Sequence, residues 1–270
     1  MDYLELKINV RNEDQRDIIL GRLSEEGFES FVEEGNALCA YIPFQLYEKE
    51  KIKSLLKGFD VYSQSSLIPG QNWNEEWEKH YDPVMLRNQC YIRASFHDPM
   101  PGVQYEIIIE PKMSFGTAHH ETTSMMIELM LETDFTDKKV LDMGCGTGIL
   151  AILAEKLGAV DIVAVDNDEW SYQNALENIR KNNADSIRVV LGDVKTIDYT
   201  GFDLILANIN RNILLEQIDD YSRLMISGDL LMSGFYEDDI PLIRDKAEQN
   251  GFQFLTHFTR NKWVAVKFRK

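Results

Sequence analysis

Residues 140–150 read VLDMGCGTGIL, an apolar run that closes on Asp142 and opens into Gly144, Gly146 and Gly148. A run too short for a helix, followed by glycines and then by a new apolar stretch, is a buried strand turning into a helix. Glycine has two uses at such a turn. It takes φ > 0 without penalty, and it lets a ligand touch backbone N–H groups at the helix N-terminus.

The loop does not by itself name that ligand, because GTGILA (146–151) also satisfies the looser G-x-G-x-x-G/A dinucleotide pattern. The surrounding chain says more. From residue 140 the pattern predicts strands at 140–143, 161–166, 187–191, 202–207 and 229–234, alternating with helices at 147–157, 169–182, 212–225 and 238–251. Alternation of this kind means a mainly parallel sheet with helices on both faces. The last two stretches, FQFLTHFT and KWVAVKFR, lie a few residues apart around Arg260 and Asn261 and predict an antiparallel closing hairpin.

Three polar residues stand at strand ends, where ligands of open α/β sheets bind. Asp166 lies 18 residues beyond Gly148, near the offset at which an acid receives ribose hydroxyls. Asn167 and Asp168 are available to cap the next helix, which leaves Asp166 for a ligand. Asp193, after Gly192, is either an acceptor for the exocyclic amine of a base or a turn former. Asn208 is delivered by the fourth strand.

Taken together, acid-x-Gly-x-Gly-x-Gly, an acid after strand two, Asp after strand three and a polar residue after strand four resemble class I S-adenosylmethionine-dependent methyltransferases. Their seventh strand enters antiparallel, as the predicted hairpin would require. Upstream, IIIEPKMSFGTAHHETTSMM (107–126) resembles the acid-Pro-x-x-x-Phe-Gly-Thr-Gly-x-His-x-Thr-Thr signature of the ribosomal protein L-eleven methyltransferases (PrmA). The resemblance covers the whole chain. It implies a Rossmann-like seven-stranded sheet preceded by a small ferredoxin-like domain and a tryptophan-bearing linker. It also implies that Thr117, Gly144, Asp166 and Asn208 contact the cofactor, with Gly146, Gly148 and Asp193 completing the expected site. This sequence departs from the signature at Ala118, where the family usually has glycine, at Glu110 for the commoner Asp, and at Asn210-Arg211 after Ala-Asn-Ile.

The first 67 residues read β-α-β-β-α-β, a ferredoxin-like α+β order, with Ile18, Ile19 and Leu23 on one face of the first helix. IPGQNWNEEWEKHYDPVML follows, with Trp73 and Trp77 at helical spacing. The expected division is therefore a substrate-recognition domain at 1–67, a linker helix at 68–84 and a methyltransferase domain at 85–270.

Composition sets bounds on partners. A net charge of −17 and pI of about 4.7 disfavour direct nucleic-acid binding and suit a basic partner. Cys39, Cys90 and Cys145 are odd in number and unpaired by spacing, so neither disulfides nor a metal site are expected. MDYLELKINV alternates like a strand and lacks signal-peptide regions, and no stretch approaches a membrane span; a soluble, cytoplasmic protein is expected. The sequence leaves the oligomeric state open.

The resemblance implies methyl transfer from S-adenosylmethionine to amines, a Lys ε-amine or an N-terminal α-amine, of the ribosomal protein. The Asn-Ile-Asn-Arg run after strand four (208–211) lacks the Pro-Pro-Tyr clamp of enzymes that methylate planar nitrogens, in keeping with a tetrahedral amine. Asn208, His119 and His120 are the positioning candidates, with loop ordering the plainer role for both histidines. No general base is assigned, and Cys145 reads as a small buried residue. Alternatives are a methyltransferase for another protein or small amine, a nicotinamide-dependent oxidoreductase, and a non-catalytic cofactor-binding module.

Overall fold

The computed structural model describes residues 2–35, 37–59, 61–68, 81–110 and 116–270. The chain divides into two compact units, 1–81 and 82–270.

In the first unit, Leu4, Leu6 and Ile8 alternate along β1 (Tyr3–Asn9) and are buried, because successive side chains of a strand point to opposite faces. They meet Ile19 and Leu23 of α1 (Glu13–Glu25) and Ile52 and Leu56 of α2 (Lys49–Leu56) in one core. Ile18, expected on that face, is 52% exposed. Neighbouring helix residues are about 100° apart, so a stripe centred on Ile19 and Leu23 turns Ile18 outward. With β2 (Ser30–Glu34), β3 (Ala37–Pro43) and β4 (Tyr62–Ile68), β1 forms an antiparallel sheet of order β2-β3-β1-β4. The expected linker helix with Trp73 and Trp77 lies largely outside the described residues; residues 81–83 have no regular structure and Val84 already begins a strand.

The second unit opens with a three-stranded sheet that the sequence reading did not contain: β5 (Val84–Leu86), β6 (Cys90–Arg93) and β7 (Tyr105–Ile108). Strands of three or four residues give too few alternations to register as a pattern. After α3 (Glu121–Leu131) comes the central sheet. Its strands are β8 (Lys139–Met143), β9 (Asp161–Asp166), β10 (Ile187–Leu191), β11 (Phe202–Asn208), β12 (Met225–Tyr236), β13 (Gln253–Arg260) and β14 (Trp263–Arg269). The spatial order is β10-β9-β8-β11-β12-β14-β13. The first five neighbours run parallel, and β14 enters antiparallel between β12 and β13.

Helices α4 (Ile149–Lys156), α5 (Glu169–Lys181), α6 (Arg211–Leu224) and α7 (Ile240–Gln249) supply the crossovers, and the sheet is buried between two apolar layers. The order reverses between β8 and β11, where crossovers leave opposite faces of the sheet and open a crevice at the strand ends. Among the described residues, no helix is long and apolar enough to cross a membrane and no acidic or thiol cluster is arranged to hold a metal ion.

Candidate functional site

That crevice is a cavity of about 380 Å³ lined by Gly144, Gly146, Asp166, Asn208, Ile209, Ile213, Gly234, His120 and Trp263, among others. The glycine loop forms its floor. Gly144 and Cys145 donate their N–H groups to the Val165 carbonyl (2.8 and 3.0 Å), which fastens the loop to β9. Gly144 has φ +67°, and a Cβ there would lie 2.2 Å from Ile209 Cγ2, so only glycine fits against Ile209.

Gly148 serves a different purpose. Its φ is +78° and an added Cβ would be 3.4 Å from Ala175 Cβ, so its bareness allows α5 to pack closely against the turn, and it does not line the cavity. Helix α4 accordingly begins at Ile149, two residues later than the sequence pattern suggested.

Asp166 stands at the end of β9 with both carboxylate oxygens directed by backbone: Oδ2 accepts from Gly146 N–H at 2.9 Å and Oδ1 from Asp168 N–H at 3.0 Å. Asp168 in turn caps α5 by accepting from Ser171 N–H at 2.8 Å, the cap for which the sequence offered it alongside Asn167. Asp193 accepts from Lys195 N–H at 2.8 Å and starts a short 3₁₀ turn, and it also lines a smaller recess of about 70 Å³ that shares Gly144 and Asp166 with the main cavity. Both readings of Asp193 are therefore compatible with its position.

Beneath the loop lies Asp142, only 1% exposed. Its Oδ2 accepts from Ala151 N–H in the first turn of α4 (3.1 Å), while Oδ1 has no hydrogen-bond partner among the described residues. Burial pushes its carboxyl up to about 7 against the pull of the Ala151 N–H, and the Asp166 charge pushes the same way. Cys145 is buried too, and desolvation together with Asp142 and Asp166 pushes its thiol well up, away from any nucleophilic use.

The second motif reaches the same place. Thr147 Oγ1 donates to the Gly116 carbonyl at 2.5 Å, and Ser124 Oγ donates to the Ala118 carbonyl at 2.7 Å. Ala118 is 1% exposed with φ +66°, so the residue that replaces the family glycine holds a left-handed conformation that costs an L-residue about 1–2 kcal/mol. His120 lines the cavity, accepts from Thr122 N–H at 3.3 Å to cap α3, and sets its ring edge-on to Trp263 with centroids 5.0 Å apart. His119 lies between the carbonyl oxygens of Thr117 (3.1 Å) and Asp82 (2.9 Å) and outside the cavity lining, an arrangement that suits loop ordering. Thr117 likewise does not line the cavity. Asn208 Nδ2 donates to Thr123 Oγ1 at 3.2 Å, leaving its buried Oδ1 without a partner among the described residues.

Two sets of residues escaped the sequence reading. Asn178 on α5 and Asn182 at its C-cap bind the chain that leads into the Phe-Gly-Thr segment: Ile108 N–H donates to Asn182 Oδ1 and Glu110 N–H to Asn178 Oδ1, both at 2.9 Å. Asn178 Nδ2 also donates to the Thr147 carbonyl at 2.9 Å, so one side chain holds both motifs. Asparagines at 174, 178 and 182, one turn apart on an otherwise amphipathic helix, were the available signal. The other set is Trp263 with Tyr236, whose rings lie 4.1 Å apart. Nothing local to either residue reveals that pairing.

Comparison with known proteins agrees with this geometry. A family model described as ribosomal protein L11 methyltransferase (PrmA) matches residues 11–270. The ribosomal protein L11 methyltransferase of Bacteroides thetaiotaomicron is 45% identical over 278 residues, covering 99% of each chain. That of Porphyromonas gingivalis is 46% identical, covering 93% of this chain and 90% of its own. The crystal structure of a ribosomal protein L11 methylase from Lactobacillus delbrueckii superposes with a TM-score of 0.65 at 29% identity, over 70% of this chain and 98% of the other. The central, mostly parallel sheet is thus that of an α/β methyltransferase, and the chain belongs to the ribosomal protein L11 methyltransferase (PrmA) family of S-adenosylmethionine-dependent enzymes.

Proposed function

We propose that the protein transfers methyl groups from S-adenosylmethionine to amino groups, Lys ε-amines or the N-terminal α-amine, of ribosomal protein L11. One observation carries the reading to an amine. Asn208, which lines the cavity, spends its amide N–H on Thr123 and keeps a buried carbonyl oxygen that has no partner among the described residues, a group that can accept from an N–H brought against it.

The residues fit the cofactor. A bare loop at Gly144 and Gly146 admits close approach to backbone N–H groups, Asp166 is read as the acceptor for ribose hydroxyls, and Asp193, which lines the smaller recess, as the acceptor for an adenine amine. Thr117 and Gly148, expected from the sequence to contact the cofactor, do not line the cavity: Gly148 packs against Ala175 and Thr117 bonds His119. When bound, S-adenosylmethionine supplies a methyl carbon on a positively charged sulfur, open to in-line attack. The chain's own contribution is positioning: Asn208 orients the amine, and the walls made by Ile209, Ile213 and Trp263 exclude water. An amine attacks only when neutral, so an α-amine, with a pKa near 8, loses its proton to solvent more readily than Lys near 10.4.

The small unit, with its β-α-β-β-α-β order, is read as a ferredoxin-like substrate-recognition domain that holds the ribosomal protein, with 68–84 as linker and 85–270 as the catalytic domain. The net charge of −17 favours such a basic partner over nucleic acid in the cytoplasm. Incubation with labelled S-adenosylmethionine and purified L11, followed by intact and peptide mass spectrometry, is the test. Mass gains in steps of one methyl on amines, lost in Asp166→Ala, are expected; cofactor binding without transfer to L11 would overturn the substrate. A chain starting near Asn72 that methylated L11 as fast as the full protein would remove the assigned role of the small unit.

A further inference from the structure

The turn after β12, residues 237–239, carries three consecutive acids behind Tyr236. One carboxylate decides how it folds. Asp239 Oδ1 accepts from Arg211 Nη1 at 2.7 Å, and Oδ2 accepts from the Tyr236 backbone N–H at 3.3 Å. Arg211 is the first residue of α6, where a cation opposes the positive end of the helix dipole. The Asn210 cap already satisfies Ile213 N–H, so helix formation gives no reason for a charge at this position. The effect of Arg211 is exerted through Asp239, which it draws toward the chain that follows Asn208.

Tyr236 is thereby set. It pairs in register with Trp263 across β12 and β14, and the adjacent Glu237 N–H donates to the Lys262 carbonyl at 2.8 Å. The two rings stack at 4.1 Å with an interplanar angle of 33°. Trp263 faces the 380 Å³ cavity, whereas Tyr236 faces a neighbouring groove of about 700 Å³ that it shares with Arg211, Glu237, Asp238, Asp239 and Lys262. The aromatic pair is the wall between them, and aromatic faces attract alkylammonium groups.

We propose that Arg211 is a positioning residue for the acceptor amine: through Asp239 it holds Tyr236 against Trp263 where the outer groove meets the cavity. This rests on the amine-methylation reading above. It assigns a purpose to the Asn210-Arg211 departure that the sequence left unexplained.

The test is steady-state kinetics with L11 as the varied substrate, cofactor binding by calorimetry, and amide hydrogen exchange at Tyr236 in the free enzyme. Arg211 is 43% exposed, and pairs of that kind shift equilibria by only a few-fold. Arg211→Ala is expected to raise the KM for L11 by about three- to fivefold, to leave the cofactor Kd within about twofold, and to speed exchange at Tyr236. Arg211→Lys, which keeps the charge, restores KM, and Asp239→Asn added to Arg211→Ala makes it no worse. An unchanged KM in an active Arg211→Ala enzyme would overturn the proposal, as would a parallel loss of cofactor affinity, which marks a merely structural role. If the wild-type enzyme moved no methyl to L11, the functional reading would fall, while unaltered exchange at Tyr236 would independently refute the Arg211 tie.

Discussion

Thr147 donates its hydroxyl to the Gly116 carbonyl at 2.5 Å, joining two motifs that stand 31 residues apart in the chain. The bond is buried, and it ties the glycine loop to the segment that carries Thr117 and His120. Replacing Thr147 by the isosteric Val removes the donor and leaves the Gly116 oxygen unsatisfied, a loss of about 1–3 kcal/mol. Urea unfolding of Thr147→Val should show that loss together with weaker cofactor binding, and Thr147→Ser should restore most of both.

Gly144 separates space from backbone conformation as a cause. In Gly144→Ala the new methyl meets Ile209 Cγ2 at 2.2 Å in a residue with φ +67°, and β-branched Ile209 has few rotamers with which to yield. Gly102, with φ +84° and nothing within 4 Å of an added Cβ, is the comparator. Both variants should lose about 1–2 kcal/mol from the left-handed conformation, but only Gly144→Ala should weaken cofactor binding, by about tenfold or more (about 1.4 kcal/mol). Calorimetric titration checks the split.

Asp166 and Asp168 are two residues apart and should answer differently. Asp166→Ala removes the proposed ribose acceptor and the partner of Gly146 N–H, and cofactor affinity should fall about 10- to 100-fold, the worth of a charged hydrogen bond. Asp168→Ala removes the α5 cap and should cost about 1 kcal/mol of stability with affinity within about twofold. Equal affinity losses in the two variants would refute this division.

Asp142 predicts a pH dependence of stability. Its folded carboxyl is pushed up to about 7 by burial, above the ordinary value of 3.8, so between those limits the folded state binds more protons than the unfolded chain. Its stabilising contribution is complete below the unfolded value and is lost as pH rises toward 7, at up to about 1.4 kcal/mol per pH unit. Asp142→Asn, which still offers an oxygen to Ala151 N–H, lacks this slope. Unfolding free energies measured for both proteins from pH 4 to 8 should diverge with rising pH up to about 7 and then run parallel.

The sequence by itself determined what is local. Periods of two and of 3.6, and glycines placed between strand and helix, foretold the alternating elements of the second unit and an antiparallel hairpin around Arg260 and Asn261, whose turn lies at Asn261 and Lys262. A polar residue ending an apolar strand must emerge at the sheet edge, so the place of Asp166 and Asn208 at the crevice they line was legible in the strand pattern. Their motif-mates were less so: Gly148 packs on Ala175, and neither it nor Thr117 lines the cavity, because a motif fixes spacing along the chain and not the direction of each side chain.

Tertiary structure alone decided the rest. Whether Ala118 would hold φ > 0 depended on the chain around it, and the value of +66° settles that it bears the strain. Asn178 holds Glu110, two residues past β7, and the glycine loop together across 68 and 31 residues of chain, and Tyr236 meets Trp263 only because β14 inserts antiparallel beside β12. Such contacts follow from the order in which strands pair. That order is set by burying both faces of the whole sheet at once, which no short stretch of sequence records.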